Sequence, residues 1–281
     1  MIIAKQAIYD QQKKWATGCG VPFDAKGYTQ TVEENLFRPL TAGTQADFSS
    51  GRGNEMGSVT QPGKMQALHS SSALVCNVFD YWRSQLLLGQ SLSALTTALG
   101  APDAIKQMRF EQTYPTGLGG TAPHLDVALL GDTTKPFLIE SKFTEPYGPG
   151  NIAKAISKNS MPSPYFPDSV RLWEERHLPY CEALAKDISH NRIEFFRLDA
   201  PQLLKHTLGL AKKFQKDFTL LYLWYDYPSS EAAEHRAEVE TFMLRLNGEI
   251  DFRVMTYQEL FRGITITTGG GYVAYLAERY F

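Results

Sequence analysis

FLIESKFTE, Phe137 to Glu145, is the stretch whose reading decides the fold. It opens as a buried strand, Phe-Leu-Ile, and then runs without a turn residue into Glu140, Lys142 and Glu145. Side chains two apart on a strand share a face, so Leu138, Glu140 and Lys142 point one way and Ile139, Ser141 and Phe143 the other. The run before it, HLDVALL, His124 to Leu130, is also strand-like, and GDTTK between the two is turn chemistry. Antiparallel pairing with Leu130 opposite Pro136 sets Asp126 opposite Glu140, with β-carbons roughly 5 Å apart. A slip of one residue would move Asp126 to the wrong face.

Like charges at that separation are destabilising, so something positive must offset them. Lys142 is one candidate and a divalent metal is the other; hard oxygen ligands favour Mg²⁺ or Mn²⁺. A third strand-like run, MRFEQTYP, adds Glu111 between apolar residues. Three successive strands thus carry Glu111, Asp126, and Glu140 with Lys142. Such a set suits metal-assisted phosphodiester hydrolysis. The metal binds a phosphate oxygen, lowers the pKa of a bound water and stabilises the developing charge. The lysine orients that water or helps to deprotonate it, since burial readily shifts its pKa. The plainer alternative is a solvent-exposed sheet end with an ordinary Glu–Lys pair.

Around this centre, HSSSALVCNVFDYWRSQLLLG reads as a helix capped by Ser70 or Ser71 and stopped at Gly89, and SLSALTTALG as a second short one. SVRLWEERHLPYCEALAKDI is helical, RIEFFRL a strand, and Asp199-Ala-Pro-Gln the start of the helix QLLKHTLGLAKKFQK. FTLLYLWYDY is a strand covered on both faces, SSEAAEHRAEVETFMLRLNG an amphipathic helix, IDFRVMTY a further strand and GYVAYLAERYF a closing helix. This order predicts an α/β fold around a central mixed sheet flanked by helices on both faces. Residues 1–65 read as an N-terminal extension or arm packed on the core and 66–281 as the α/β domain. Within the extension, QADFSSGRGNEMGSVTQPGKM is a long loop, either a solvated connection or an arm over a substrate with Arg52 and Lys64 as phosphate contacts.

Of the 281 residues, 43% are hydrophobic and 21% charged, and the net charge is -2. No global positive field draws the chain to nucleic acid or acidic lipid, so any basic surface is local. Three scattered cysteines suggest reduced thiols in a cytoplasmic protein. No window approaches the roughly 20 apolar residues of a membrane span.

HLDVALL and FLIESKFTE together resemble the PD-(D/E)xK nucleases, the superfamily with the restriction-endonuclease-like fold. Asp126 matches the first-motif Asp, although His124-Leu125 stands where the motif name puts Pro. Glu140 matches the second acid and Lys142 the lysine. The chain also resembles a little-characterised bacterial branch, in Ser70-Ser71-Ser72-Ala73 and Asn77, then Glu111, Asp126, Glu140, Lys142, Thr144 and Glu145, with Ser72 in place of that branch's glutamine. Pro201-Gln202-Leu203-Leu204-Lys205-His206 is similar to the helix that follows the active strand in many of these nucleases.

The resemblance implies Mg²⁺-dependent cleavage of double-stranded DNA, Mn²⁺ being an alternative ion. Asp126, Glu140 and the Ser141 carbonyl would be ligands, and Glu111 would bind the same metal or a second one. Gln202 and His206 would reach the site, with Glu145, Asn77 and Ser71 supporting it. Read singly, Gln202 could instead bond backbone, His206 could be a packed histidine, Glu145 could bond the next loop, and Asn77 could satisfy a neighbouring loop. His124 is set aside as a ligand, on the expectation that it faces away from Asp126. Lys154, Lys158, Arg171 and Arg176 are candidates for a groove that positions the nucleic-acid backbone. Cleavage of RNA, a catalytically silent relative that binds nucleic acid or protein, and a homodimer stay open.

Overall fold

The computed structural model describes residues 4–50, 53–58, 60–118, 122–148, 161, 165–166, 172–265 and 270–281. Its centre is a five-stranded mixed sheet. The strands are β1 (Gln107–Thr113), β2 (His124–Leu130), β3 (Phe137–Lys142), β4 (Thr219–Trp224) and β5 (Asp251–Thr256), and they lie side by side in chain order. β1, β2 and β3 pair antiparallel, because the connections between them are too short for a crossover. β3, β4 and β5 pair parallel, because helices intervene in the chain. β4 is buried along its whole length, as its unbroken apolar run requires. Val127 stands opposite Ile139 and Leu129 opposite Phe137. This is the register expected from the turn, and one step further it sets Asp126 beside Glu140.

Helices α1 (Ala4–Gly18), α2 (Ala42–Ser50), α3 (Ser71–Leu87), α4 (Ser93–Leu99), α5 (Pro179–Ser189), α6 (Ala200–Phe214), α7 (Ser230–Leu246), α8 (Tyr257–Thr265) and α9 (Gly271–Tyr280) flank the sheet. Ser70 caps α3 by accepting the Ala73 N–H, and the helix is buried nearly all round because it packs against both the sheet and α9. Asp199 caps α6, with Pro201 in its first turn. α6 crosses the end of β1 so closely that a β-carbon on Gly209 would stand 1.9 Å from the Tyr114 carbonyl oxygen. Only glycine permits that approach.

Two local expectations are corrected. RIEFFRL is not a strand: the N–H groups of Phe196, Arg197 and Leu198 all donate to the Glu238 carboxylate of α7, each at 2.8 Å. With these three consecutive amides bonded to one side chain, the second half of the segment cannot join a ladder. IDFRVMTY ends as a strand at Thr256, where α8 begins. The N-terminal residues 4–50 contain two α-helices of weak periodicity, whose Ala4, Ile8 and Phe48 pack into the main core.

The first and last helices are joined by the buried Arg279. Its Nε donates to Gln12 Oε1 (3.0 Å), its Nη1 to Asn35 O (2.8 Å) and Tyr275 Oη (2.6 Å), and its Nη2 to Asn35 Oδ1 (2.5 Å) and Leu68 O (3.2 Å). The guanidinium lies 4.1 Å from the centre of the Trp15 ring. These partners are neutral acceptors, so the full set of donors is satisfied without a carboxylate. Arg279→Met would orphan several buried acceptors at once and is expected to cost about 3 kcal/mol or more. Urea unfolding measures this directly, and an unchanged midpoint would refute the role.

Candidate active site

The charged end of β3 meets the first turns of α6. Lys142 Nζ lies 2.5 Å from Glu140 Oε1 and donates to Gln202 Oε1 at 3.0 Å. His206, one turn further along α6, places Nε2 3.0 Å from Glu140 Oε2. That contact is ionic in distance but not aligned as a hydrogen bond, and both atoms are buried without a hydrogen-bond partner. Asp126 Oδ2 accepts the Ser141 N–H at 2.6 Å, and Ser141 Oγ bonds Tyr257 Oη at 2.7 Å.

On β1, Phe110 pairs with Val127 and Gln112 with Leu125, so Glu111 between them is level with Asp126. Its φ of 51° is left-handed, a strained conformation for a non-glycine residue and one that frees its side chain from strand alternation. Its Oε2 lies 3.1 Å from His124 Nδ1. Glu111, Asp126 and Glu140 therefore occupy one level across three strands, followed by Tyr222 on β4.

Burial and mutual repulsion dominate the electrostatics. Burial pushes the Asp126 carboxyl well above the usual carboxylate range, and the charge of Glu140 adds to the effect. Burial, then Glu55 and Glu140, raise Glu111 to about 7. Burial alone would raise Glu140 as well, but Lys142 and His206 outweigh it and hold it at about 2. For Lys142 burial favours the neutral amine, yet Glu140, Glu145 and Asp126 reverse this and hold it firmly charged. In the protein without a metal the surrounding carboxylates thus keep the proton on this lysine.

The structure thus brings Glu111, Asp126, Glu140, Ser141, Lys142, Gln202 and His206 together. It also brings in Glu55, which sequence reading passed over. Glu55 sits in the Gly- and Ser-rich loop before α3, where composition signals only a connection. It accepts from Ser72 Oγ at 2.7 Å and pairs with Lys64 at 3.2 Å. Lys64 is therefore engaged within the protein. His124, two residues before Asp126, contacts Glu111; the parity of the strand argued for the same face, and its assignment to the far side is corrected.

Glu145 accepts the Phe143 N–H at 2.7 Å and so holds the turn after β3, while its charge still reaches Lys142. Asn77 accepts the Phe37 N–H and donates to Asn35 O and Tyr280 Oη, and so belongs to the seam around Arg279. Ser71 is the half-buried first residue of α3. Arg52, Lys154, Lys158 and Arg171 lie outside the described residues.

The described residues contain no group of three or more His, Cys, Asp or Glu side chains set to hold a metal. The donor chemistry still fits a hard divalent cation. The charges of Glu55 and Glu140 act on Glu111 and those of Glu140 and Glu111 on Asp126, and a buried oxygen of Glu140 is unsatisfied. Mg²⁺ keeps several waters and needs only one or two protein carboxylates beside substrate phosphates, so a three-residue cage is not required.

A mixed sheet with this charged end, flanked by helices, defines a restriction-endonuclease-like α/β protein. The chain belongs to the family described as Restriction Endonuclease associating with ARP, whose model matches residues 4–281. That description carries nuclease activity and nucleic acid as its partner. No curated protein and no solved structure matches the chain. No helix among the described residues is long and apolar enough to cross a membrane.

The acid row has a consequence for pH. Glu111 is raised from 4.5 to about 7 in the folded protein. The folded state therefore binds its proton more tightly than the unfolded chain, and this contribution is full below about pH 4.5 and lost as pH rises through about 7. The metal-free protein should lose on the order of 2 kcal/mol between pH 5 and 8 from this group. Glu111→Gln should flatten that slope in urea unfolding at the two pH values; a slope parallel to wild type would exclude the assignment.

Proposed function

We propose that this chain is a metal-dependent nuclease of the PD-(D/E)xK type that hydrolyses DNA phosphodiester bonds by attack of water. The observation that carries the reading is the half-buried Asp126, one step beyond the β2–β3 ladder, beside Lys142 and buried Glu140, which Gln202 and His206 steady from α6. Asp126, Glu140 and the Ser141 carbonyl would hold Mg²⁺, with Mn²⁺ as a substitute. When bound, the ion would polarise a phosphate oxygen and lower the pKa of a bound water.

The chain's own groups divide the remaining work. Lys142, charged and oriented by Gln202, stabilises negative charge that builds on the phosphate. His206 turns Glu140 toward the sheet end. Glu111, with a pKa near neutrality, is a carboxylate able to take up a proton at physiological pH. Association with ARP, the partner that the family description names, is proposed on that description alone.

A second reading, a silent relative that binds nucleic acid without cutting it, has one observation in its favour. Lys142 and His206 already face both oxygens of Glu140. Incubation with linear duplex, plasmid, single-stranded DNA and RNA, in Mg²⁺, Mn²⁺ or EDTA, separates the readings. Duplex DNA should be cut with either ion and left intact in EDTA. Lys142→Ala and Glu140→Ala should each lower the rate at least ~100-fold. Cutting at the wild-type rate by both variants would overturn the site, retained binding without cutting would establish the silent relative, and cutting of RNA alone would reassign the substrate.

A further inference from the structure

Beyond the acid row, α6 carries a second feature. Its residues Gln202, His206, Gly209 and Lys212 follow one another at spacings of three or four and so form one stripe along the helix. The stripe begins at the catalytic lysine, passes the close contact of Gly209 with Tyr114, and ends beside the loop that follows β1. There two cations converge. Arg176 is half-buried and held from behind: its Nη2 donates to Thr116 O at 2.5 Å and its Nη1 to Leu208 O at 3.1 Å. Lys212 is exposed. Between them is Gly117, also exposed, with φ +95°. The point where a β-carbon of Gly117 would stand is 3.0 Å from Lys212 Nζ and 3.4 Å from Arg176 Nη2.

Two positive heads that share one space should be separated by an anion or driven apart. Among the described residues no ion pair to a carboxylate involves either head; Glu175 is felt by Arg176 only at a distance. The carbonyls of Thr116 and Leu208 fix the guanidinium without neutralising it. Lys213 extends the positive edge, with its ammonium over the Tyr114 and Phe214 rings, and Lys205 lies over Tyr165. In a chain whose net charge is -2, this is a local positive surface in which neither Arg176 nor Lys212 is ion-paired to a carboxylate among the described residues.

We infer that Arg176, Lys212 and the space left open at Gly117 form an anion subsite that takes one backbone phosphate of the nucleic acid bound at the catalytic centre. The inference rests on the nuclease reading and adds the direction in which the strand leaves the site. From His206 to Lys212 the helix rises on the order of 9 Å, which corresponds to about three nucleotide steps at 3.4 Å each. The subsite reads no base and therefore positions the substrate without selecting its sequence.

The test is binding of a fluorescent DNA duplex to the full chain, in EDTA to prevent cutting, titrated across salt concentrations by anisotropy. Lys212→Gln should weaken binding about five-fold near 0.1 M salt and lower the salt slope by about one unit, the signature of one lost phosphate contact. Lys186→Gln is the control, with the same change of charge at a lysine paired to Glu182 on α5; it should bind as wild type does. Equal thermal midpoints for the three proteins exclude misfolding as the cause. Wild-type affinity and slope in Lys212→Gln, from a protein that binds and cuts DNA, would overturn the subsite and leave the nuclease reading intact. Equal losses in the two variants would show a net-charge effect and also overturn it. A wild-type chain that neither binds nor cuts nucleic acid when Mg²⁺ is supplied would remove both.

Discussion

Two carboxylates placed side by side at the buried end of a hairpin are the constraint around which this protein is organised. Asp126 and Glu140 cannot both be charged there without a compensating cation, and the structure answers with Lys142, Gln202 and His206. Each of these is a demand on the fold. Lys142 must lie on the same strand face as Glu140, and α6 must begin beside that face. Glycine at position 209 lets the helix settle against the end of β1. The compensation is uneven: Glu140 is held charged, while Asp126 and Glu111 are driven toward their protonated forms. The site is therefore short of positive charge, which is the state in which a hard dication gains most by entering.

The second organising element is the seam between the ends of the chain. Arg279, Gln12, Asn35, Asn77 and Leu68 form a buried polar knot that satisfies its donors with carbonyls, amides and two tyrosine hydroxyls. Through it, residues that read as an extension become part of the body that bears the site, and Glu55 comes to stand near Glu111.

What could be read from the sequence follows from how local the physics is. The register of β2 against β3 depends on alternation and a short turn, and the expected facing of Asp126 and Glu140 is the one observed. The mixed sheet was legible from the order of apolar runs. RIEFFRL looked like a strand because its composition is strand-like; only the distant Glu238 diverts its amides. Glu55 was invisible because its meaning depends on a contact with Ser72 and proximity to Glu111, which no spacing encodes. His206 was ambiguous because a histidine on an apolar helix face has the same sequence signature whether it packs or faces a carboxylate. His124 was misplaced by an error of strand parity, not by missing information.

The contacts of Arg279 reach back over 211 to 267 residues of chain. A loop closed over such a span forms late, since its entropy is lost before local contacts repay it. During synthesis the sheet and its acid row can assemble as soon as β5 has emerged. The knot that gathers residues 12, 35 and 68 must wait for the closing helix. The loop that carries Glu55 lies between two of those anchor points. Translation itself thus imposes an order on the molecule, in which the sheet strands are available before the knot can close, and the knot waits for the helix that bears Arg279.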